Sequence, residues 1–331
     1  MIDHDTSGES SDVSWQIDAT TIDGTLVKPS GPGPFPAVVM VAGSGPTDRD
    51  WNSPLLPGSN GSACLIAEAL ARAGFASLRY DKRVVGPHAR ENMQALIGRL
   101  SMQSHVDELA GAVRTLPSQV PLRDGRIFAL ANSEGTLHAL NYQVHSPAIP
   151  LAGLVLIAPP GRAVGAVGRS QLAAQAAGLP NGDALLALYD AAIARFLAGE
   201  PIDPDPSLPP GVQTLLQSLV TPANLPFARE LWTANAAPLL GQVDVPALVI
   251  IGKKDIQVDW HADGEPLQRA AAGRKDITFL FPKDANHVLK QEMRPQSTLV
   301  TGDVLETYNG PDTRLDPQAL ARILEWLTAH A

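Results

Sequence analysis

The chain has 331 residues, 44% of them hydrophobic and 18% charged, the composition of a folded protein with a sizeable core rather than of a disordered one. A formal net charge of −9 argues against polyanionic partners, so neither nucleic acid nor an anionic membrane surface is expected. The single cysteine, Cys64, excludes an internal disulfide and removes any need for an oxidising compartment. Cys64 opens an Ala/Leu-rich helical stretch and reads as a small buried core residue, not a nucleophile.

Residues 1–12 are polar and acidic and read as a frayed tail without the apolar centre of a signal peptide. The longest apolar runs, at 38–42 and 154–158, fall far short of the roughly 20 residues a membrane helix needs. The expectation is a cytoplasmic protein with no membrane span, a homodimer being left open.

Apolar–polar alternation over 13–27 surrounds Asp23-Gly24 and predicts a hairpin turning there. A Pro/Gly-rich loop leads into the apolar run 37–42, the pattern of a strand buried on both faces. A helix over 62–73 stops at Gly74, and a strand follows at 75–80. A helix over 101–116 is ended by Pro117. A strand at 126–131 runs straight into a helix reaching about His145, and another strand covers 153–158. Strands at 247–251 and 277–281 and a helix over 316–330 close the chain.

Such alternation implies crossover connections and a mostly parallel sheet covered on both faces. The interval from Pro159 to Val245 breaks the rhythm. Helical stretches near 169–177, 183–198, 212–219 and 225–234 are interrupted by a stiff Pro201–Pro206 linker. Connections in such domains are usually a few residues long, so this interval reads as an inserted helical cap. The expected division is a core domain of 1–160 and 241–331 and a cap of 161–240.

The segment 127–136, Ile-Phe-Ala-Leu-Ala-Asn-Ser-Glu-Gly-Thr, carries the most chemical information. An apolar strand ends, Ser133 follows at once, and a helix begins. Such a turn lifts a hydroxyl above the sheet edge and aims the next backbone N–H groups from a helix N-terminus, where the dipole favours negative charge. Acyl transfer needs both, an exposed nucleophile and amides directed at a forming oxyanion. The bland alternative is a serine that only caps the helix. Ala131-Asn132-Ser133-Glu134-Gly135 resembles the Gly-x-Ser-x-Gly nucleophile elbow of the α/β-hydrolase superfamily, with Ala131 in place of the first glycine.

Upstream, Ala42-Gly43-Ser44-Gly45-Pro46-Thr47-Asp48-Arg49-Asp50 is similar to the oxyanion loop of esterases and serine aminopeptidase-like hydrolases, often His-Gly-Ser-Gly-Pro with Asp-Arg-Asp behind it. Ala42 stands where that family often has histidine. The resemblance implies oxyanion donors at the backbone N–H groups of Ser44 and Glu134. A phosphate-binding loop is disfavoured because no Gly-Lys-Ser/Thr follows. Arg79-Tyr80-Asp81-Lys82-Arg83 also resembles a segment of these hydrolases. It reads as scaffolding, with Asp81 and Arg83 pinning the oxyanion loop through Arg49 or Asp48.

A serine hydroxyl needs a base near neutral pH, and histidine titrates there. Among the eight histidines, His287 follows the last predicted strand in a loop that reaches the carboxyl edge of the sheet, where ligands bind in such folds. His138 is expected to turn away from the site, His88 is a reserve, and His261 reads as surface. Asp255 follows the 247–251 strand in Gly252-Lys253-Lys254-Asp255-Ile256-Gln257-Val258, which resembles the family's strand–Gly–x–x–Asp–x–x–Val segment. Asp259 and Asp263 are fallbacks, and a plain turn carboxylate is the bland reading. The order Ser133, Asp255, His287 is that of the superfamily.

The resemblance therefore implies an α/β-hydrolase fold and a serine hydrolase acting on small-molecule carboxylic esters of short-to-medium acyl length. No cofactor and no metal are implied, since no Cys/His cluster and no His-x-x-x-His helix pair occur. Two alternatives stay open. One is an aminopeptidase or amidase on the same residues, with an acidic anchor such as Glu134. The other is a ligand-binding protein on a hydrolase scaffold. Leu172, Leu186, Leu188, Phe196, Leu216, Phe227 and Trp232 are candidates to line the substrate pocket, or else they pack the inserted helices onto the core.

Overall fold

The computed structural model describes residues 8–145 and 147–331; of the expected frayed tail, residues 1–7 lie outside them. The chain runs β1 (Glu9–Ile17), β2 (Thr20–Lys28), β3 (Phe35–Val41), α1 (Ser62–Arg72), β4 (Ala76–Tyr80), α2 (Ala89–Leu96), α3 (Met102–Gln119), β5 (Leu122–Asn132) and α4 (Glu134–Val144). It continues with β6 (Gly153–Ile157), α5 (Val164–Ala176), α6 (Gly182–Ala198), α7 (Pro210–Leu219), α8 (Phe227–Thr233) and α9 (Ala236–Leu240). The last elements are β7 (Ala247–Ile250), α10 (Gly264–Ala270), β8 (Ile277–Leu280), α11 (Val304–Asn309) and α12 (Pro317–His330).

Among the described residues the strands form one sheet in the order β1-β2-β4-β3-β5-β6-β7-β8. β1 and β2 pair antiparallel, β2 runs antiparallel to β4, and every other neighbouring pair is parallel. Helices cover both faces, so β3 and β6 are buried along their whole lengths, as their unbroken apolar runs require. Met40, Ile66, Leu70, Leu109, Phe128 and Leu137 meet in the main core. Each such side chain contributes about 1.5–3 kcal/mol by leaving water. The helix α3 starts at a reciprocal cap, in which Ser101 and Ser104 each accept the other's backbone N–H, an arrangement that stabilises a helix start by about 1 kcal/mol.

Four local expectations are corrected. The first hairpin turns at Asp18-Ala19, not at Asp23-Gly24, which lie inside β2. Gly24 is there for space: a Cβ would come within 2.7 Å of the Arg79 carbonyl and 3.2 Å of the Trp15 ring. Residues 9–12, assigned to a frayed tail, belong to β1 and pair with β2. In addition, α3 continues through Pro117 to Gln119, because a proline in the last turn forfeits only one ladder bond. The short helices α2, α10 and α11 had no clear periodic signal. Cys64 is half-buried rather than buried, and burial raises its thiol pKa, so it stays a poor nucleophile.

Four of the helices between β6 and β7, α5 to α8, gather their own apolar cluster around Tyr189, Phe196, Leu208 and Leu216. In contrast, α9 contributes Ala236 and Leu240 to the main core. Among the described residues no helix is long and apolar enough to cross a membrane.

Candidate active site

The turn from β5 into α4 places Ser133 at φ 53°, ψ −123°, a conformation a non-glycine residue adopts only when its surroundings force it, at about 1–3 kcal/mol. The forcing contacts are identifiable. The Ser133 N–H donates to the Ile157 carbonyl at 2.8 Å on one side, and its carbonyl accepts from the Thr136 N–H at 3.0 Å on the other. Gly135 admits no side chain, since a Cβ would sit 2.5 Å from the Ala42 carbonyl. At the first motif position Ala131 is fully buried and keeps its place in the ladder between Val41 and Leu156. The methyl group is accommodated there.

Asp255 and His287 come from the loops after β7 and β8. The Asp255 carboxylate is fully buried and accepts the backbone N–H groups of Gln257 (2.7 Å) and Val258 (2.9 Å) at one oxygen. Its other oxygen lies 2.8 Å from His287 Nδ1. This bond fixes the tautomer with the proton on Nδ1 and leaves Nε2 as a lone-pair acceptor. Tyr308 stacks on the imidazole at 6.5 Å between ring centroids. The Asn132 side-chain amide donates to the His287 carbonyl at 3.0 Å, so the residue before Ser133 holds the loop carrying the imidazole. Of the fallback acids, Asp263 binds Arg162 and Asp259 caps the His261 and Ala262 N–H groups. His88 is exposed near Asp23, and His261 is exposed beside Glu265.

Ser44 and Gly45 follow β3 and face the elbow; a Cβ on Gly43 would meet Asn132 Oδ1 at 3.1 Å and Ser133 Cβ at 3.3 Å. Behind this loop, Arg49 is fastened to Asp81 by its backbone N–H (2.8 Å), Nε (3.2 Å) and Nη2 (2.7 Å). Arg83, the other expected pin, instead binds Glu108 and the Ser104 carbonyl. One cavity of about 390 Å³ is lined by Ser44, Ser133, Glu134 and His287 at its polar end. Val167, Leu219, Phe227, Leu231 and Trp232 are among the residues that form its apolar walls. Of the seven proposed lining residues, only Phe227 and Trp232 reach it. Leu172, Phe196 and Leu216 are buried in the separate core of α5–α8, with Leu186 and Leu188 packed against it.

A family model for the alpha/beta hydrolase family matches residues 38–293. The chain belongs to the alpha/beta hydrolase family. Esterase EstD of Thermotoga maritima is 29% identical to this chain over 276 residues, which make up 82% of this chain and 59% of that protein. The chain thus spans less than two thirds of that relative. Among solved structures, the Pyrococcus furiosus esterase Pf2001 superposes with a TM-score of 0.57 at 17% identity, covering 98% of this chain and 92% of that one. The proline iminopeptidase of Mycobacterium smegmatis gives 0.56 at 17%, covering 97% and 98%. At such identities both share the fold with this chain.

Beneath its elbow the chain holds a buried polar network that the sequence did not disclose. Glu134 Oε1 accepts from Lys82 Nζ at 2.8 Å and pairs with His138 Nε2 at 3.1 Å. His105 Nδ1 pairs with Glu108 at 2.9 Å, and Glu108 also accepts from Arg83. His138 does turn from the cavity, but toward His105, with ring centroids 4.8 Å apart, and Phe227 of α8 lies against both rings. His105, Glu134 and His138 could meet at a metal ion by proximity alone. The Lys82 ammonium on the shared carboxylate oxygen makes the cluster a hydrogen-bonded network instead.

Burial pushes the His138 pKa down to about 4, against a weaker upward pull from Glu134. Burial would raise Glu108, but His105 and Arg83 outweigh it and hold it at about 2. Both shifts have one sign for stability. The unfolded chain protonates histidine near 6.5 and glutamate near 4.5, before the folded chain does. Stability is therefore lost as pH falls, first between 6.5 and about 4 for His138 and then between 4.5 and about 2 for Glu108. Each group contributes at most about 1.4 kcal/mol per pH unit. Urea melts of a His138→Leu variant should show a flatter decline in the upper window; an unchanged slope there would contradict the assignment.

Proposed function

We propose that this hydrolase cleaves carboxylic esters of short-to-medium acyl length through an acyl-enzyme, with Ser133 as nucleophile, His287 as base and Asp255 as the acid that orients it. The observation that carries the reading is the 2.8 Å Asp255–His287 bond, with His287 opening on the same cavity as a strained Ser133. In this scheme Ser133 Oγ attacks the ester carbonyl and its proton passes to His287 Nε2. The backbone N–H groups of Ser44 and Glu134 receive the oxyanion, each donor being worth about 3 kcal/mol in the transition state. The tetrahedral adduct collapses, and His287 returns the proton to the departing alkoxide. Water then repeats the sequence on the acyl-serine and regenerates the hydroxyl.

Of the expected cap, 161–240, helices α5–α8 act as the cap, while α9 packs with the core, and the apolar cavity wall receives the acyl chain. Among the described residues lining the cavity, Glu134 supplies the carboxylate that an aminoacyl substrate would need for its amine, and Lys82 and His138 already occupy it. That occupancy favours the ester over the aminopeptidase reading. A fluorophosphonate probe is expected to label one serine, mapped by mass to the peptide holding Ser133. Absence of labelling in the folded protein would favour a non-catalytic binding role and overturn the proposal.

A further inference from the structure

Glu134 contributes its backbone N–H to the proposed oxyanion site, yet its own carboxylate is buried beside that site, with a side chain 2% exposed. An uncompensated carboxylate one bond network away would repel the oxyanion, and weak screening in the interior makes that repulsion costly. Lys82 Nζ lies 2.8 Å from Glu134 Oε1, and its side chain is 5% exposed. Its backbone N–H also donates to the Thr47 carbonyl, in the loop that carries Ser44. One residue thus touches both segments that supply oxyanion donors.

The other groups facing Glu134 leave the cancellation to Lys82. His138 donates through Nε2 as a neutral ring, and its Nδ1 is buried without a partner. His105 is engaged by Glu108. Arg83 is spent on Glu108 and the Ser104 carbonyl.

We propose that Lys82 is a positioning residue for the hydrolysis, cancelling the Glu134 charge behind the oxyanion site and tying that carboxylate to the Ser44 loop. The inference rests on the ester-hydrolase reading above. Its test is steady-state hydrolysis of a p-nitrophenyl ester by the full chain as wild type, Lys82→Met, Glu134→Gln and the double variant, with circular-dichroism melts of each. Lys82→Met is expected to lower kcat about 100-fold with KM little changed. Glu134→Gln should lose less, and the double variant should regain about tenfold of the Lys82→Met loss.

The ratio of Lys82→Met to double-variant activity should rise as the pH is lowered from about 8 to about 6, as the orphaned carboxylate takes up a proton. Taking the ratio cancels pH effects common to both variants. Equal losses in Lys82→Met and the double variant, or a flat ratio, would mean that Lys82 only fills space and would overturn the proposal. Should Lys82→Met fail to fold, the double variant decides: a folded double variant down 100-fold or more refutes charge cancellation. Fluorophosphonate labelling of the wild type separates the two failures. No label sinks the ester reading, whereas label with no rescue sinks only the role of Lys82.

Discussion

Replacing Ser133 by alanine is expected to lower p-nitrophenyl acetate hydrolysis about a million-fold while leaving the melting temperature nearly unchanged. The backbone explains the second half. Positive φ at residue 133 is imposed by the Ile157 and Thr136 hydrogen bonds and by the close packing of Gly135 on Ala42; alanine makes the same backbone contacts. The Ser133 side chain makes no cap bond to α4, so its loss leaves no orphaned group at the helix start. The proposed oxyanion donors are backbone groups that the substitution leaves in place, and they should preserve a residual rate about a thousandfold above water. Progress curves of nitrophenolate release and thermal melts by circular dichroism measure both. A folded Ser133→Ala protein retaining a substantial fraction of wild-type kcat would refute the nucleophile.

The second large effect is expected at a residue that touches no substrate. Gly252 lies three residues before Asp255, and a Cβ there would fall 2.0 Å from the Ala285 carbonyl oxygen and 2.6 Å from its carbon. Both are backbone atoms of the loop carrying His287, so neither can swing aside. The two loops are laced together at this spot: the Lys253 N–H donates to Pro282 and the Lys254 N–H to Ala285. Gly252→Val must push them apart and stretch the Asp255–His287 bond. Misplacement of about 1 Å costs about 100-fold in rate, and full loss of the orienting acid about 10,000-fold; kcat should fall between these. Overpacking should also cost about 1–3 kcal/mol of stability. Wild-type kcat in this variant would show that the loops are not coupled through residue 252.

The parts of the fold legible in the sequence are those decided locally. The elbow joins an apolar strand, a serine and a helix start within ten residues, and neighbouring residues create the strain at Ser133. Asp255 and His287 were legible as neighbours through their place after the last two predicted strands, and the structure brings them within hydrogen-bonding distance. What stayed hidden was decided by distant contacts. Gly24 looks like a turn residue, yet it serves a strand because Trp15 and Arg79 crowd it. The His105–Glu134–His138 cluster spans two helices, so no spacing announces it. Helical spacing marked apolar candidates on the helices between β6 and β7 but could not say which of them face the cavity. Leu216 is buried in the core of α5–α8, Leu215 of the same helix lines the cavity, and Leu219 does both.

The separate apolar centre of α5–α8 has an evolutionary corollary under the proposed reading. Residues such as Phe196 and Leu216 keep those helices folded without leaning on Asn132, Asp255 or Gly252, which hold the reacting groups in register. Lineages can therefore retune which chain is admitted by revising the small core, and inherit the proton route intact.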